Sequence, residues 1–563
     1  MLWDYIFVGG GLSAAVTSNR LLHHHPALKI LVIEAGANAN NDPSVVYYNS
    51  TNLRGGQYDW KYKTVPQVHL NNRQIDLPCG KALGGGTVIN VGGWNRGAKR
   101  DYDLWAETVG DDRWSYDGLL PYFRETERVA NASINPQQHG GDGPVYIQGI
   151  ISTERQFPLR EKVLDSWKDV GVNSLPFLDG NAGEPNGVGD LFENRREGRR
   201  QIASVVYPLD GISVLTETLV AKVLLEPNAN SRRPHRAVGV QLANGTEIKG
   251  KDVILSAGAI RTPQVLMLSG IGPPMELAKH NITPKVISPD VGQHLVDHGL
   301  FPVQWKLKDP SAGYAIGSGN LLFKKAQYGW GIPADFLVSA GVGDKEGLAK
   351  AIEEDEGSKP DLKTHPLLNQ ERTFNEYIVV YAGLPDGSTI SSLMVHLLPT
   401  SRGSVTLASS DIKDAPLVDP NYYATAVDRF VARDGMRRLL AFALGQTPLG
   451  RYVVDGDAGA LGFDAPFGLD STDDYIDKRF AAALGSTHHP MGTAAMGKVV
   501  DNKLRVKGVA GLSVVDASVF PVAITAHLQV ATYAMANLAA DILYRERECK
   551  TRASGNLAND YLR

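Results

Sequence analysis

The sequence is poor in cysteine, has no long apolar run and carries no excess of charge of one sign. Only Cys79 and Cys549 occur among 563 residues, so disulfides do not organise the fold. No apolar stretch approaches the roughly 20 residues that a membrane-spanning helix needs, and we predict no membrane span. Lysine and arginine total 57 against 61 aspartate and glutamate residues, a net charge of −4, which argues against a nucleic-acid partner. Cysteine and histidine nowhere cluster with metal-ligand spacing, so no metal is predicted.

The composition is that of a globular protein large enough for two or more hydrophobic cores. Hydrophobic residues make up 43% of the chain. The first predicted strand begins at Tyr5, which leaves no room for a signal peptide ahead of it. The protein is therefore either cytoplasmic, or secreted with its signal absent from the sequence. Compartment and oligomeric state stay open.

The N-terminal region carries a dinucleotide-binding pattern. Residues 5–8 read Tyr-Ile-Phe-Val, which favours a buried strand, and residues 9–14 then read G-x-G-x-x-A. The first glycine permits a tight turn, the second lets a pyrophosphate approach the backbone, and a small last residue lets helix and strand pack closely. A helix is predicted over residues 15–22 and a second strand over residues 29–33. Glu34 follows at the position where a ribose hydroxyl is usually held.

A second informative stretch, residues 80–97, has two clusters of glycine around a short Val-Ile patch. Glycine this dense in an ordered region indicates backbone packed against a ligand or against other backbone. A flexible hairpin is the alternative interpretation.

The rest of the chain mixes strand and helix patterns. Strands are predicted at residues 213–215, 220–225, 237–242, 251–256 and 512–515, and helices at residues 429–444 and 531–547. Pro263 is expected in the first turn of a helix. Residues 305–390 are predicted to be irregular, with a solvated surface or mobile loop at residues 344–363. Residues 395–398 and 403–407 are predicted to be strands of a second, mixed sheet.

Three long motifs together resemble the signatures of the glucose–methanol–choline (GMC) family of flavin oxidoreductases. They lie at residues 80–103, at residues 258–272, and at residues 488–497 with their continuations at 514–518 and 526–532. The motifs occur in family order across nearly the whole chain. Among family members, the sequence resembles fungal aryl-alcohol and glucose oxidase-like enzymes.

The resemblance implies an α/β fold with two domains. A Rossmann-like FAD-binding domain would be formed by residues 1–150, 201–305 and 481–563, with residues 80–97 covering the flavin. A discontinuous substrate-binding domain, built on a mixed or antiparallel sheet, would be formed by residues 151–200 and 306–480.

The resemblance also implies FAD as the cofactor. Some relatives attach the flavin covalently through a histidine in the first signature, but no histidine lies between His69 and His139, so non-covalent FAD is expected. Val220 resembles the position where backbone meets adenine. The residues implied to hold the cofactor are Gly9, Gly11, Leu12, Ser13, Ala14, Glu34, Ala35, Gly84, Gly85, Thr87, Asn90, Val91, Gly92, Gly93, Val220, Asp516, Ala517, Gln529 and Val530.

His489 and His527 match the two active-site positions of the family. The implied reaction oxidises a CH–OH group: hydride leaves the carbon for flavin N5 while a base takes the hydroxyl proton. Imidazole suits this task because its unperturbed pKa lies near neutrality. We favour His489 as the base and His527 as its hydrogen-bond partner, with the reverse order open. His488 is expected to shape the pocket, whereas His294 and His298 are not expected to be ligands.

The substrate is predicted to be a primary alcohol on an aromatic or metabolite scaffold. Either O2 or another acceptor could reoxidise the flavin, and no residue decides between oxidase and dehydrogenase. A sugar oxidase or dehydrogenase is one alternative. Another is a non-redox cyclase or lyase of secondary metabolism on the same fold. A serine hydrolase is disfavoured, because no G-x-S-x-G elbow occurs.

Overall fold

The computed structural model describes residues 2–47, 53–130, 134–229, 232–460 and 462–560, with side chains described as far as residue 548. It is an α/β structure built on two large sheets, which confirms the predicted fold class. Among the described helices, none is both long and apolar enough to cross a bilayer.

The first sheet has eight strands and a parallel centre. In spatial order the main strands are Ser213–Leu215, Ile30–Ile33, Trp3–Val8, Glu247–Leu255, His235–Leu242 and Val220–Pro227, and Val509–Ala510 and Leu512–Val514 pair at its side. Ile33, Val8, Leu255 and Val514 lie side by side in the register. The residues that follow these four strands therefore meet at one edge, where such sheets bind their ligands.

Two helices cover a face of this sheet. Leu12–His24 starts directly after the first strand, and its buried Ala14 and Ala15 let it pack closely. The long helix Gln529–Asp560 packs against Leu12–His24 and against Tyr116–Thr126. The strands predicted in this part of the chain and the C-terminal helix are confirmed, the helix starting two residues earlier than predicted.

The second sheet is antiparallel throughout its described strand pairs. Its strands, in spatial order, are Val454–Asp457, Gly299–Leu307, Thr389–His396, Asn375–Val380, Phe336–Ala340 and Gly187–Asp190, with Gly485–Ser486 also pairing with Gly299–Leu307. The helix Ala426–Leu444, predicted over residues 429–444, packs against this sheet. The strand Gly299–Leu307 runs across the predicted domain boundary at residue 305; the domain boundaries themselves stay predictions.

The prediction that residues 305–390 are irregular was wrong, because two strands of the second sheet, Phe336–Ala340 and Asn375–Val380, lie wholly in this region. The polar stretch at residues 344–363 also contains a helix, Lys345–Glu356. The Asp344 carboxylate caps it by accepting the Gly347 N–H, and it buries only a narrow stripe formed by Leu348, Ala351 and Ile352. Because so few residues of the helix are buried, the segment is mostly polar, and its composition is typical of a solvated loop.

Two further expectations need correction. Strand Gly403–Thr406 belongs to a separate three-stranded sheet with Gln293–Leu295 and Leu417–Asp419, and not to the second large sheet. Pro263 lies inside the helix Gly258–Leu268 and not in its first turn. Proline cannot donate to the carbonyl four residues earlier, and that carbonyl, of Ala259, accepts a hydrogen bond from the Thr493 hydroxyl at 2.6 Å instead. Thr493, a residue of the third motif, thus supplies the hydrogen bond that the proline cannot donate.

The remaining α-helices and strands of the described residues have at most 11 residues each. The helices are Pro43–Val46, Lys99–Val109, Arg160–Asp169, Ala203–Val206, Pro274–Lys279, Pro448–Tyr452 and Asp473–Ala483. The strands are Tyr62–Lys63, Asp76–Leu77, Glu127–Val129, Val145–Gly149, Phe192–Glu193, Arg195–Arg196, Arg199–Arg200, Ile271–Gly272 and Val286–Ile287.

Candidate active site

A cavity of about 530 Å³ runs from the carboxyl edge of the first sheet to one face of the second. Residues from all three motifs line it, although they are hundreds of positions apart in the sequence. The predicted site residues on its wall are Gly9, Gly11, Leu12, Ser13, Glu34, Ala35, Gly85, Thr87, Asn90, Val91, Gly92, Gly93, Val220, His489, Asp516, Ala517, His527 and Gln529.

The glycine turn after the first strand forms one end of this cavity. Gly9 has a φ of +93°, and a Cβ there would stand 2.5 Å from the Ser256 carbonyl oxygen, so only glycine fits. The segment 80–97 lies directly on the turn: the Gly84 N–H donates to the Gly10 carbonyl at 2.8 Å. A Cβ on Gly85 would come within 2.8 Å of the Gly11 Cα. The interpretation of residues 80–97 as backbone packed against other backbone therefore holds here.

Glu34 lies on the cavity wall, as the spacing predicted. Its two carboxylate oxygens accept the N–H groups of Gly10 and Gly36, both at 2.7 Å. Burial raises the pKa of this carboxyl group, and the backbone N–H donors oppose that effect. The acid is thus held in one position beside the turn.

Three predicted cofactor-binding residues do not line the cavity. Ala14 is fully buried between helix and sheet, and Val530 is buried in the core. Gly84 has a φ of +100°, and a Cβ there would stand 2.4 Å from the Ile202 side chain. These three residues pack behind the cavity wall. A motif match alone does not distinguish a residue that packs there from one that contacts the cofactor.

His489 and His527 meet at the inner part of the cavity. Their ring centroids are 5.0 Å apart and the rings are nearly perpendicular, at 86°. His489 follows the short strand Gly485–Ser486, and His527 immediately precedes the helix Gln529–Asp560. The structure therefore brings together two histidines from sequence positions 38 residues apart.

The two histidines have opposite electrostatic environments. His527 Nε2 lies 2.8 Å from Glu376 Oε1, and Glu376 is fully buried. Burial alone would lower the pKa of His527, but the Glu376 carboxylate outweighs it and the pKa is raised. Burial, with His527 and His298 nearby, holds the pKa of His489 well below its usual value. At neutral pH, His489 is therefore neutral, while His527 is biased toward its protonated form.

His298, which sequence analysis set aside, contacts His489 directly. Nδ1 of His298 lies 3.0 Å from Nδ1 of His489, and burial lowers the pKa of His298 to about 3. Asp297 Oδ1 accepts the backbone N–H groups of both His489, at 2.7 Å, and His298, at 2.9 Å. One carboxylate thus fixes the backbone of both rings, and the Nε2 of His489 is the nitrogen left for another partner.

Glu376 was missed because its strand, Asn375–Val380, fell in the region predicted to be irregular. The run Tyr-Ile-Val-Val after Glu376 is a typical strand sequence, and an acidic residue at the start of a buried strand was the available signal. His298 lies in a stretch that resembled a structural motif of the family, and no sequence feature distinguished it.

The second sheet gives the chamber in front of the histidines an apolar wall. Leu300 pairs with Val395 and Ile378 pairs with Leu393 across adjacent strands, so these side chains share one sheet face. They line the cavity together with Ile332, Pro333 and Val380. Two polar atoms on this wall, Thr487 Oγ1 and His488 Nδ1, are buried and have no partner in the described structure.

The cavity wall also fits a cofactor of dinucleotide type. At Gly86, Gly93 and Gly258, a Cβ would meet no atom within 4 Å, so backbone alone forms the wall and leaves room for a ligand. Asp516 is fixed beside it, because its carboxylate accepts the Gly258 N–H at 2.9 Å and the Thr262 hydroxyl at 2.6 Å. Within the described ranges, no three His, Cys, Asp or Glu side chains are arranged to hold a metal ion.

The cavity therefore joins a Rossmann-type cleft to a pair of histidines. The GMC oxidoreductase family profiles match residues 3–300 and residues 399–536, and the chain belongs to this family. A curated relative, "GMC-type oxidoreductase acuG" of Aspergillus aculeatus, is 36% identical over 553 residues, which cover 96% of this chain and 99% of the relative.

Solved structures agree with this assignment. A formate oxidase from Aspergillus oryzae, solved as a variant with an effect on FAD modification, superposes with a TM-score of 0.83 at 26% identity, covering 97% of this chain and 98% of its own. A fungal aryl-alcohol oxidase superposes with a TM-score of 0.81 at 25% identity, covering 97% and 99%. Family and neighbours support FAD as the cofactor of an oxidoreductase.

Proposed function

We propose that this protein oxidises a primary alcohol carried on an aromatic or other apolar scaffold to the carbonyl compound, with FAD as cofactor. The observation that carries the proposal is the pair His489 and His527 at the inner end of an apolar chamber. The similarity to a fungal aryl-alcohol oxidase supports an aryl substrate. When bound, FAD would supply the hydride acceptor for the alcohol carbon.

In this proposal His489 is the base. It is neutral, and its Nδ1 is engaged by His298, so its Nε2 is the atom available to the substrate hydroxyl. When His489 Nδ1 carries the proton shared with His298, the His489 Nε2 lone pair is free and accepts the hydroxyl proton.

His527 is the hydrogen-bond partner in this proposal. The Glu376 carboxylate favours the protonated form of His527, which can donate to the substrate oxygen and stabilise the negative charge that develops there. At the substrate oxygen, the neutral base removes the proton and the charged donor stabilises the negative charge.

The residues proposed to hold FAD are those of the glycine turn, Glu34, Val220, the segment 85–93 and Asp516 with Ala517, which together form one continuous wall. We propose that FAD is held without a covalent bond. The wall offers no histidine from residues 80–97, and burial raises the pKa of the Cys79 thiol to about 12, so its nucleophilic thiolate form is suppressed.

The apolar wall argues against a sugar as substrate. A sugar would bring several hydroxyl groups against Leu300, Ile378, Leu393 and Val395, and each buried hydroxyl left without a partner costs about 1–3 kcal/mol. The unpartnered atoms Thr487 Oγ1 and His488 Nδ1 at the edge of this wall suit a scaffold with one or two polar substituents.

The test is anaerobic mixing of the purified protein with aryl, aliphatic and secondary alcohols and with glucose, while the visible flavin absorbance is followed. Aryl primary alcohols are expected to bleach the flavin fastest and glucose slowest. Colour that returns on admission of air, with peroxide formed, identifies an oxidase; colour that stays bleached identifies a dehydrogenase. The His489→Ala variant should lose bleaching, whereas His294→Ala, which changes a histidine outside the cavity, should retain it.

The alternative of a non-redox cyclase or lyase makes the opposite prediction. If no alcohol bleaches the flavin and His489→Ala nevertheless abolishes a biosynthetic conversion, the proposed oxidation is wrong and acid–base catalysis by the same histidines replaces it.

A further inference from the structure

A second cavity, of about 400 Å³, lies between the first sheet and the C-terminal helix; we call it the basic cavity. Tyr5 pairs with Asp252 and Ile254 pairs with Ser513 across adjacent strands, so these side chains share the sheet face that forms its floor. None of the residues that line the basic cavity lines the cofactor cavity. Its volume is within the usual range of small-molecule sites, about 300–1,000 Å³.

The lining of this cavity is strongly basic in a chain whose net charge is −4. Five cationic side chains from four separate segments converge on it, against the two acidic residues Asp252 and Glu546. The cationic residues are Arg113, Arg233, Lys503, Arg505 and Arg545. Convergence of like charges is unfavourable unless an opposite charge offsets it.

The chain neutralises only part of this charge. Arg113 is paired with Asp111 at 2.6 Å, and Arg505 is paired with Asp501 at 2.6 Å and with Glu546 at 3.2 Å. No ion pair of the described side chains joins Arg233, Lys503 or Arg545 to a carboxylate, although Lys503, after Arg113, contributes to the lowered pKa of the nearby Asp111. As far as the side chains are described, up to residue 548, these three cations have no carboxylate within ion-pair distance and are open to a ligand.

The floor of the basic cavity is apolar. It is formed by Tyr5, Ile254, Val509, Leu512, Ile542 and Leu543, all of which are buried against neighbouring side chains. An apolar floor with a cationic rim selects for a molecule that carries both kinds of group. A bare inorganic anion would leave the floor unused, and a neutral apolar molecule would leave the rim unpaired.

We propose that the basic cavity is a second ligand site, which binds an organic anion: a phosphate, sulfonate or carboxylate group on an apolar or aromatic body. The anionic group contacts Arg233, Lys503 and Arg545, and the body lies against the apolar floor. This site is separate from the catalytic chamber, and its existence does not depend on the proposed oxidation.

The test is calorimetric titration of the FAD-loaded protein with 8-anilinonaphthalene-1-sulfonate, a sulfonate on an aromatic body. The wild type is expected to bind it at one site, and Lys503→Ala with Arg545→Ala is expected to raise its Kd about tenfold or more, because charge-assisted hydrogen bonds are lost. Inorganic phosphate is expected to displace the probe only at much higher concentration.

Lys507→Ala is the matched control, because Lys507 is an exposed lysine on the same segment and does not line the cavity. Its Kd should equal that of the wild type. Flavin absorbance and melting temperature verify that each variant is folded, and Arg233→Ala is the substitute if the double variant loses its FAD. Absence of probe binding, or equal Kd values for wild type and double variant, overturns the proposal.

Discussion

Glu376→Gln tests which of the two active-site histidines is the base and which is the charged hydrogen-bond donor. The substitution removes the negative charge that lies 2.8 Å from His527 Nε2 and keeps an acceptor oxygen of the same size. Because Glu376 raises the pKa of His527 against the effect of burial, the variant is expected to have a lower His527 pKa. The protonated form of His527 then persists only at lower pH than in the wild type.

The magnitude follows from the strength of the contact. A hydrogen bond to a charged group contributes about 1.5–3 kcal/mol, and both partners here are buried. If the protonated His527 stabilises the transition state, its loss should slow flavin reduction about 10- to 150-fold at neutral pH. The wild-type rate is expected to fall as pH rises through the His527 pKa, and in the variant this falling limb should move to lower pH.

The assay is anaerobic stopped-flow measurement of flavin reduction across a pH series, with one saturating aryl alcohol. Glu371→Gln is the control, because Glu371 is exposed and undergoes the same change, but its carboxylate accepts a hydrogen bond from the Asn186 side chain, at 3.0 Å, and not from His527. Movement of the rising, low-pH limb instead would show that His527 must be neutral, so that it is the base and the roles are reversed. An unchanged profile would refute the argument altogether.

Three further predictions concern the cofactor and the fold. Gly85→Ala should lower the FAD content of the purified protein severalfold, because its Cβ would stand 2.8 Å from backbone of the glycine turn. Gly245→Ala is the control and should leave the FAD content unchanged, because φ is also positive there but no atom lies within 4 Å of the added Cβ. Acid precipitation should release all of the flavin into the supernatant, and yellow colour retained by the pellet would contradict the protonated, unreactive Cys79 thiol. Arg96→Leu should destabilise the protein by about 3–5 kcal/mol, seen as a lower urea midpoint. The variant removes the guanidinium that lies 2.6 Å from the fully buried Glu127 carboxylate, which then keeps, among the described side chains, only its contacts with His139 and the Trp94 N–H; an unchanged midpoint would refute this.

The first sheet could be predicted because its central strands are buried on both faces and are flanked by motifs. Residues 5–8 and 30–33 are continuous apolar runs, and the glycine turn and Glu34 mark where each ends. The second sheet could not be predicted in the same way. Asn375–Val380 is buried at nearly every position, so it lacks the alternation of apolar and polar residues that identifies a half-exposed strand. The polar helix Lys345–Glu356 also separates it in the sequence from its neighbour Phe336–Ala340.

The same distinction holds for the residues of the candidate site. His489 and His527 could be identified because long motifs carry them. Glu376 could not, because its relation to His527 spans 151 residues and exists only through the pairing of distant strands. His298 is likewise 191 residues from His489. Local patterns predict which residues are chemically able to act, but partners brought together by tertiary contacts leave no local pattern.

The late position of strand Leu512–Val514 has a consequence for biosynthesis. This strand completes the parallel centre of the first sheet, and the helix Gln529–Asp560, which packs against Leu12–His24, follows it in the chain. At about 5–20 residues per second, a ribosome needs about 0.5–2 minutes for the whole chain, and the sheet lacks this strand until the end of that time. The nascent chain must therefore keep the apolar strands Trp3–Val8 and Ile30–Ile33 from aggregating for most of its synthesis. Cofactor loading is expected to be a post-translational event.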